Sequence, residues 1–380
     1  MKIIGIVVEY NPFHNGHLYQ IKEIKKIFKD SLIIVCMSSS FTQRGELSIL
    51  NKYDKTKVAI ENGVDIVVEL PYVYSVQSSD IFAKYSVSLL NTLHIDTLVF
   101  GTETKDITNI IEVANAQTLN KEYDLHVKKH LDKGISYPAA LSNALKDIGS
   151  YSIESPNDLL ALSYIKEIYN SKYNIDIYNI KRTNDFHDKL SNDKIVSATN
   201  IREKINNNKD FSKQVPKNVY NILKNKKFDN KYFDYLKYKI YSEDDLNKYL
   251  DVDEGLSVRI KKYIDKSNST DELIKNIKTK RYTYNRISRM LNHILCSFTK
   301  EENNRVKNIE YIRILGFNES GKNYLNSIKK TIVIPVLNKY DTKKYKTLEI
   351  EKRVTDIYSH LYENIIEKEI KNIPIKIKEE

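Results

Sequence analysis

The feature that most constrains the fold is an alternation of apolar runs and amphipathic segments over the first 205 residues. The apolar runs are KIIGIVV, SLIIVCM, VDIVVEL, IDTLVFG and NIDIYNI. The segments between them place apolar residues at helical spacing. Continuously apolar strands that alternate with helices are typical of a parallel sheet covered on both faces. Ligands of such sheets bind beyond the carboxyl ends of the strands, so those ends are where we expect the functional site.

The pattern changes after residue 205, where Lys- and Tyr-rich amphipathic segments replace the strands. We interpret residues 206–380 as mostly helical, with Ser269 capping one helix. KTIVIPVLNKY is a candidate strand, VTDIYSHLYENIIEKEI a late helix and NIPIKIKEE a loose tail. A chain of 380 residues exceeds one ordinary core. We therefore predict an α/β catalytic domain over 1–205 and a mainly α-helical domain over 206–380.

The charge is unevenly distributed between these two parts. Of the net charge of +11, residues 1–205 contribute −1 and residues 206–380 contribute +12. A basic half joined to a near-neutral half indicates contact with a polyanion such as nucleic acid. A solvated charged surface in a generally Lys-rich chain would explain the same numbers.

Several protein classes are disfavoured. No apolar run reaches the roughly 18 residues of a membrane helix, and the short apolar start is followed at once by an acid and a proline turn, unlike a signal peptide. The only cysteines, Cys36 and Cys296, are far apart and belong to no metal-binding motif. That usage suits a reducing cytoplasm, and we expect neither a membrane nor an obligate protein partner.

The turn after the first apolar run carries the strongest chemical signal. Glu9 to His17, EYNPFHNGH, joins a strand to a helix, with His14 in the turn and His17 opening the helix. Free N–H groups at a helix start suit phosphate, and imidazoles there can stabilise charge that develops on a leaving pyrophosphate. Both histidines could instead be plain capping residues. The segment is neither a Walker A loop nor a Gly-x-Gly-x-x-Gly fingerprint.

The start of a second helix supports the interpretation that this protein binds phosphate. In IVSATNIRE, Ser197 or Thr199 would cap a helix and Arg202 would reach a phosphate. Capped helices with an early Arg are common, so this signal is weak by itself.

Together, EYNPFHNGHLYQ and VSATNIR resemble the HxGH and (I/V)S(S/A)TxIR motifs of the nucleotidyltransferase superfamily. Further segments resemble the bacterial tRNA(Met) cytidine acetate ligase family along nearly the whole chain. They include LVFGTE, GISYPAAL, SPNDLLALSYI, IKRTNDFHD, KTKRYTYNRISRMLNHILCSF and YIRILGFNESGK. The resemblance implies a Rossmann-like catalytic domain. It also implies a ligase that converts ATP and acetate to acetyl-adenylate and acetylates the wobble cytidine of elongator tRNA(Met), giving N4-acetylcytidine.

The resemblance also implies the site residues. The candidate catalytic residues are His14, His17, Arg202 and Lys52. Independently of the resemblance, Gln43, Arg44 and Lys52 lie on a long connection after the second strand, where we expect a lid or an acetate pocket. A solvent-facing basic loop would explain the same residues. Any Mg²⁺ would be held mainly by the ATP phosphates. Asp185, His187 and Asp188 are interpreted as a structural turn or a tRNA-facing group. The ATP-binding residues would be Val7, Val8, Glu9, Tyr10, Asn11, Pro12, Phe13, His14, Asn15, Gly16, His17, Leu18, Tyr19, Gln20, Gly101, Asn157 and Arg182.

For tRNA, cations interleaved with tyrosines suit an RNA backbone and splayed bases, although a charged helix face over core tyrosines is the alternative. The candidates are Lys278, Lys280, Arg281, Tyr282, Arg286 and Arg289.

Three other functions fit the sequence less well. A small-molecule adenylyltransferase of cofactor biosynthesis would leave the basic half idle. The intact motifs disfavour a non-catalytic RNA-binding protein, and the lack of a Lys-Met-Ser-Lys-Ser-like loop disfavours a class I aminoacyl-tRNA synthetase.

Overall fold

The computed structural model describes residues 1–135, 137–149, 153, 155–182, 193–226, 231–253, 255–279 and 281–377. Its centre is a seven-stranded sheet in the order β5-β4-β1-β2-β3-β6-β7. The first five strands along the chain are parallel, as predicted. The strands are β1 Lys2–Val8, β2 Ser31–Ser38, β3 Ile66–Leu70, β4 Thr97–Thr102, β5 Asp176–Lys181, β6 Ile314–Phe317 and β7 Ile375–Lys376.

Helices cover both faces of this sheet. In the first 206 residues they are α1 Asn15–Ile27, α2 Lys52–Glu61, α3 Tyr72–Ser75, α4 Ser79–Thr92, α5 Thr108–Leu119, α6 Lys121–Asp132, α7 Tyr137–Asp147, α8 Pro156–Ser171 and α9 Ala198–Asn206. Alternate residues of a strand point to opposite faces. Ile4 and Ile6 of β1 therefore pack with α1, α2 and α9, whereas Ile3 packs with α4 and α8.

The rest of the chain is mostly helical, as predicted. Its helices are α10 Lys217–Leu223, α11 Tyr232–Tyr241, α12 Leu256–Tyr263, α13 Thr270–Ile277, α14 Tyr284–Leu295, α15 Lys300–Arg305, α16 Glu319–Ile328, α17 Lys346–Leu361 and α18 Ile366–Lys371, with 3₁₀ turns at Leu246–Lys248 and Ile264–Lys266. Ser269 caps α13 by accepting the Glu272 N–H. Within the described residues, no helix combines the length and the apolar character needed to cross a bilayer.

Two local predictions in this part of the chain were wrong. KTIVIPVLNKY forms no strand. Pro335 interrupts it and has no N–H to donate to a ladder, so only an isolated bridge joins Ile312 to Val336. The tail is not loose either, because β7 lies within it and pairs in parallel with β6.

The two halves of the chain share one sheet and one core. β6 pairs antiparallel with β3, and the apolar core on the α4 and α8 face continues into α11 to α14. The division into two domains at residue 205 stays a prediction, to which the structure adds that β6 and β7 complete the sheet of the first half.

Candidate active site

The turn between β1 and α1 is held together by its two histidines. His14 is the N-cap of α1, and its Nδ1 accepts the Gly16 N–H at 3.0 Å. His17 Nδ1 accepts the His14 N–H at 3.2 Å, and the two rings stack with centroids 3.8 Å apart. In a neutral imidazole, one nitrogen accepts and the other carries the proton. The hydrogen bonds therefore assign the proton of each ring to Nε2, which makes both Nε2–H groups donors.

Burial and nearby arginines keep these imidazoles neutral. The pKa of His14 falls from its usual value of 6.5 to about 3, first through desolvation and then through the charges of Arg182 and Arg202. The pKa of His17 is also well below its usual value, through desolvation, His14 and Arg182. Two uncharged N–H donors and two guanidinium groups thus lie together at the carboxyl end of β1. This arrangement is suited to a polyanion such as triphosphate.

Arg202 connects the turn to the connection that follows β2. The helix α9 begins at Ala198, and its cap is Ser197, whose side chain accepts the Asn200 N–H. One guanidinium nitrogen of Arg202 donates to the Asn11 carbonyl at 2.7 Å, and the other donates to Glu46 Oε2 at 2.7 Å. The structure therefore brings the two sequence motifs into direct contact.

The remaining predicted ATP residues meet at the ends of β4 and β5. Gly101 pairs with Ile180, and a Cβ at position 101 would lie 3.5 Å from Arg182 Cγ. Asn157 donates from Nδ2 to Glu103 Oε1 at 2.8 Å. The Nε of Arg182 is buried and has no hydrogen-bond partner within the described residues.

Within the turn itself, two buried aromatic residues pack beneath the histidine rings, on the side of the protein core. Tyr10 and Phe13 are almost fully buried, and the Tyr10 ring meets the His17 ring edge to face at 4.8 Å. Asn11 is also buried and binds the β2 connection by accepting the Ile49 N–H at 2.9 Å. These three residues position the turn, whereas the histidines present its polar atoms.

Lys52 is not where a catalytic lysine was expected. Its side chain has no exposed surface, and its Nζ lies 2.6 Å from Glu69, 3.2 Å from Glu351 and 2.9 Å from Glu369. Arg313 completes this buried cluster by pairing with Glu69 and Glu369. This cluster holds α17 and α18 against the sheet, and the catalytic role of Lys52 stays a prediction.

The lysine that the sequence analysis missed is Lys55, one turn further along α2. It is fully buried, and its Nζ donates to the carbonyls of Glu9 at 3.1 Å and of Ser38 and Ser39 at 2.7 Å each. Burial lowers its pKa from 10.5 to about 7. Lys55 thus ties together the ends of β1 and β2. The signal was present, since Lys52, Lys55 and the apolar Val58 recur at three-residue spacing on one helix face.

The predicted tRNA residues divide into exposed and buried groups. Lys278 and Arg281 are exposed, whereas Tyr282 is only 6% exposed and belongs to the core. The Arg286 guanidinium lies 4.9 Å from the Tyr282 ring centre, which favours the alternative of a charged face over core tyrosines, and the contact of Tyr282 with tRNA stays a prediction. Burial lowers the pKa of Arg289, which lies near Asp251.

Some predicted positions lie outside the described residues, namely Lys280, Asp185, His187 and Asp188. Among the residues that are described, no group of three or more His, Cys, Asp or Glu side chains could hold a metal ion.

Comparisons with known proteins identify the family of this chain. A family model described as HIGH Nucleotidyl Transferase matches residues 1–372. The tRNA(Met) cytidine acetate ligase of Anoxybacillus flavithermus is 36% identical, with 99% of this chain and 100% of the relative covered. The enzyme of the same name from Caldicellulosiruptor bescii is 38% identical, with 99% of each covered.

Solved structures agree over the whole chain as well. Thermotoga maritima TmcAL bound with alpha-thio ATP superimposes with a TM-score of 0.84 at 27% identity and full coverage of both chains. The apo form of the same protein gives a TM-score of 0.87, also with full coverage. The α/β fold predicted from the sequence is thereby confirmed.

Proposed function

This chain belongs to the tRNA(Met) cytidine acetate ligase family of HIGH nucleotidyl transferases, and we propose that it acetylates the wobble cytidine of elongator tRNA(Met) in two steps. In the first step a carboxylate oxygen of acetate attacks the α-phosphorus of ATP, and pyrophosphate leaves. In the second step the cytidine N4 amine attacks the carbonyl carbon of acetyl-adenylate, and AMP leaves. The products are N4-acetylcytidine, AMP and pyrophosphate.

The observation that carries this proposal is the convergence of His14, His17, Arg182 and Arg202 beyond the carboxyl end of β1. The two Nε2–H groups and the two guanidinium groups would bind the phosphates and stabilise the charge that develops on the departing pyrophosphate. Gly101 and Asn157, at the ends of neighbouring elements, would contact the nucleoside. Catalysis of the first step would then rest on positioning and charge stabilisation.

No covalent enzyme intermediate is needed. Acetyl-adenylate already carries a good leaving group, and the nearby thiol is unsuited to nucleophilic attack. Cys36 is fully buried, and burial raises the pKa of its thiol far above its usual value. Mg²⁺ would be held mainly by the ATP phosphates and water.

We propose that the tRNA lies across the basic second half of the chain, with Lys278 and Arg281 at its phosphates. We also propose a cytoplasmic location, because tRNA is there and both cysteines are free thiols. The alternative of a small-molecule adenylyltransferase is disfavoured, because relatives that match nearly the full length are tRNA ligases.

Mass analysis of nucleosides tests this function directly. Purified protein is incubated with ATP, deuterated acetate and a tRNA pool, and the tRNA is then digested. We expect deuterated N4-acetylcytidine only when ATP and acetate are both present. A labelled small-molecule adenylate with unmodified tRNA would contradict the proposal and favour the adenylyltransferase.

A further inference from the structure

Glu9 is the carboxylate closest to the histidine turn along the chain, and its place in the fold is unusual for a charged residue. It follows the last residue of β1 and is only partly exposed. The Gln43 N–H donates to its Oε1, and the buried Lys55 donates to its carbonyl. Gln43 is anchored in turn through its side chain, which donates to the Gln77 carbonyl at 2.7 Å. These hydrogen bonds therefore fix the Glu9 carboxyl group at the end of β1, where it does not rotate freely in solvent.

Electrostatic neighbours connect Glu9 to the phosphate-binding groups. Burial raises the pKa of Glu9 and lowers the pKa of Arg182, and the nearby charge of Arg44 acts on both groups by lowering each pKa. Arg182 acts in the same way on both His14 and His17. The turn at 42–46 joins Glu9 to Arg202, because the Gln43 N–H donates to Glu9 Oε1 and Glu46 Oε2 accepts from Arg202 at 2.7 Å. Glu9 thus lies beside the charged groups that are predicted to bind the ATP phosphates.

The second step of the proposed reaction needs a proton acceptor, and the histidines cannot supply one. The attacking amine must lose a proton as the amide forms. Nδ1 of His14 already accepts the Gly16 N–H, and Nδ1 of His17 already accepts the His14 N–H. Because Nε2 of each ring carries the proton, neither imidazole has a vacant acceptor nitrogen.

On the basis of the proposed function, we infer that Glu9 is the general base of acetyl transfer. The N4 amine forms a bond to the carbonyl carbon of acetyl-adenylate, and its proton passes to a carboxylate oxygen of Glu9. The bond between that carbon and the adenylate oxygen then breaks, and AMP leaves with the electron pair. Glu9 afterwards returns the proton to water, so no further reactant is required.

The titration of Glu9 is consistent with this role. Burial raises its pKa above the usual 4.5, and Glu46 adds to the rise, whereas the Gln43 hydrogen bond, Arg44 and Lys55 oppose it. Tyr164, on α8, also lies near this carboxyl, since its pKa is raised first by burial and then by the charge of Glu9. A carboxyl pKa that is shifted toward neutrality makes a stronger base. The transfer rate should therefore rise with pH through the raised pKa and then level off.

The test separates the two half-reactions in Glu9→Gln, which keeps the acceptor oxygen for Gln43 and removes the base. Acetate-dependent pyrophosphate release measures activation, and N4-acetylcytidine formed in one turnover measures transfer. We expect transfer to fall by about 10²–10⁴-fold, activation to fall by a smaller factor, and the rising pH limb of transfer to disappear. Glu23→Gln, a carboxylate on α1 paired only loosely with Lys26 at 3.6 Å, is the matched control.

Two results would overturn the inference, namely transfer by Glu9→Gln within a few-fold of wild type, or equal loss of both half-reactions in a folded variant. If the Gln variant does not fold, Glu9→Asp takes its place. It should slow transfer more than activation and keep the pH limb, and equal slowing of both steps would reject the role. Failure of the proposed function is distinguishable, because wild-type protein would then form no N4-acetylcytidine at all.

Discussion

His14 and His17 are stacked at 3.8 Å with both Nδ1 atoms turned to backbone N–H groups of their own turn. This pairing combines a helix cap with the proposed phosphate site, because the capping bonds fix which nitrogen donates outward. Capping and ligand binding are usually rival explanations for a histidine at a helix start. Here the capping hydrogen bonds occupy both Nδ1 atoms and so leave both Nε2–H groups to bind the proposed ligand.

The first prediction concerns His17. His17→Ala removes one outward donor, and we expect acetate-dependent ATP–pyrophosphate exchange to fall by about 10²–10³-fold, the usual effect of deleting a donor to developing charge. Affinity for tRNA, measured by filter binding, should stay within a few-fold. His360→Ala, an exposed position on α17, is the control. Wild-type exchange in His17→Ala would remove His17 from the catalytic set.

A second prediction follows from the lowered pKa of His14. Its pKa is about 3 in the folded protein and near 6.5 in an unfolded chain, so below pH 6.5 the unfolded state binds the extra proton. The free energy of unfolding should therefore fall as the pH drops from 7 toward 4, by up to about 1.4 kcal/mol per pH unit from this residue. Urea titrations should show a shallower pH slope for His14→Asn than for wild type. An unchanged slope in that variant, or an equal change in His360→Asn, would contradict the assignment.

A third prediction concerns the buried ion cluster. Lys52→Met removes the salt bridge to Glu351 and leaves Glu69 and Glu369 paired with Arg313. Removing one member of a buried ion pair strands uncompensated charge, so urea unfolding should show a loss of about 3–5 kcal/mol. Lys57→Met, on the same helix but 59% exposed, should change stability by less than about 0.5 kcal/mol. Equal effects of the two substitutions would refute the structural role of Lys52.

A fourth prediction addresses the tRNA surface. Arg281→Glu reverses an exposed charge in the basic half, so it should weaken tRNA binding and flatten the dependence of affinity on salt. Fluorescence titrations with tRNA between 50 and 200 mM salt, a range of about fourfold, would measure both effects. Lys29→Glu, exposed just before the amino end of β2, should alter neither. Identical salt slopes for Arg281→Glu and wild type would place the RNA elsewhere.

The five parallel strands were predictable because each is a continuous apolar run whose meaning does not depend on distant residues. β6 was missed because it is four residues long and contains a glycine, and its place in the sheet depends on pairing with β3, some 250 residues earlier. KTIVIPVLNKY was wrongly predicted to form a strand for the opposite reason. Its apolar character was visible, whereas the effect of Pro335 on a ladder depended on where the segment packs.

The histidine turn could be located from its motif and its position, since a strand end and a helix start are both local features. The burial of Lys55 was indicated by the helix face that it shares with Val58, whereas the ion cluster around Lys52 could not be predicted. Lysine is ordinarily a surface residue, and the partners that allow burial of Lys52, Glu351 and Glu369, lie about 300 residues away in sequence. Long-range charge compensation leaves no mark on local periodicity.

The central claim is that the turn carrying His14 and His17 binds the triphosphate of ATP for attack at the α-phosphorus. A crystal structure of this protein with a non-hydrolysable ATP analogue tests it most directly. We predict phosphate oxygens within hydrogen-bond distance of both Nε2 atoms and of the Arg182 and Arg202 guanidinium groups. An analogue bound away from this turn, with both imidazoles still contacting only protein, would contradict the account.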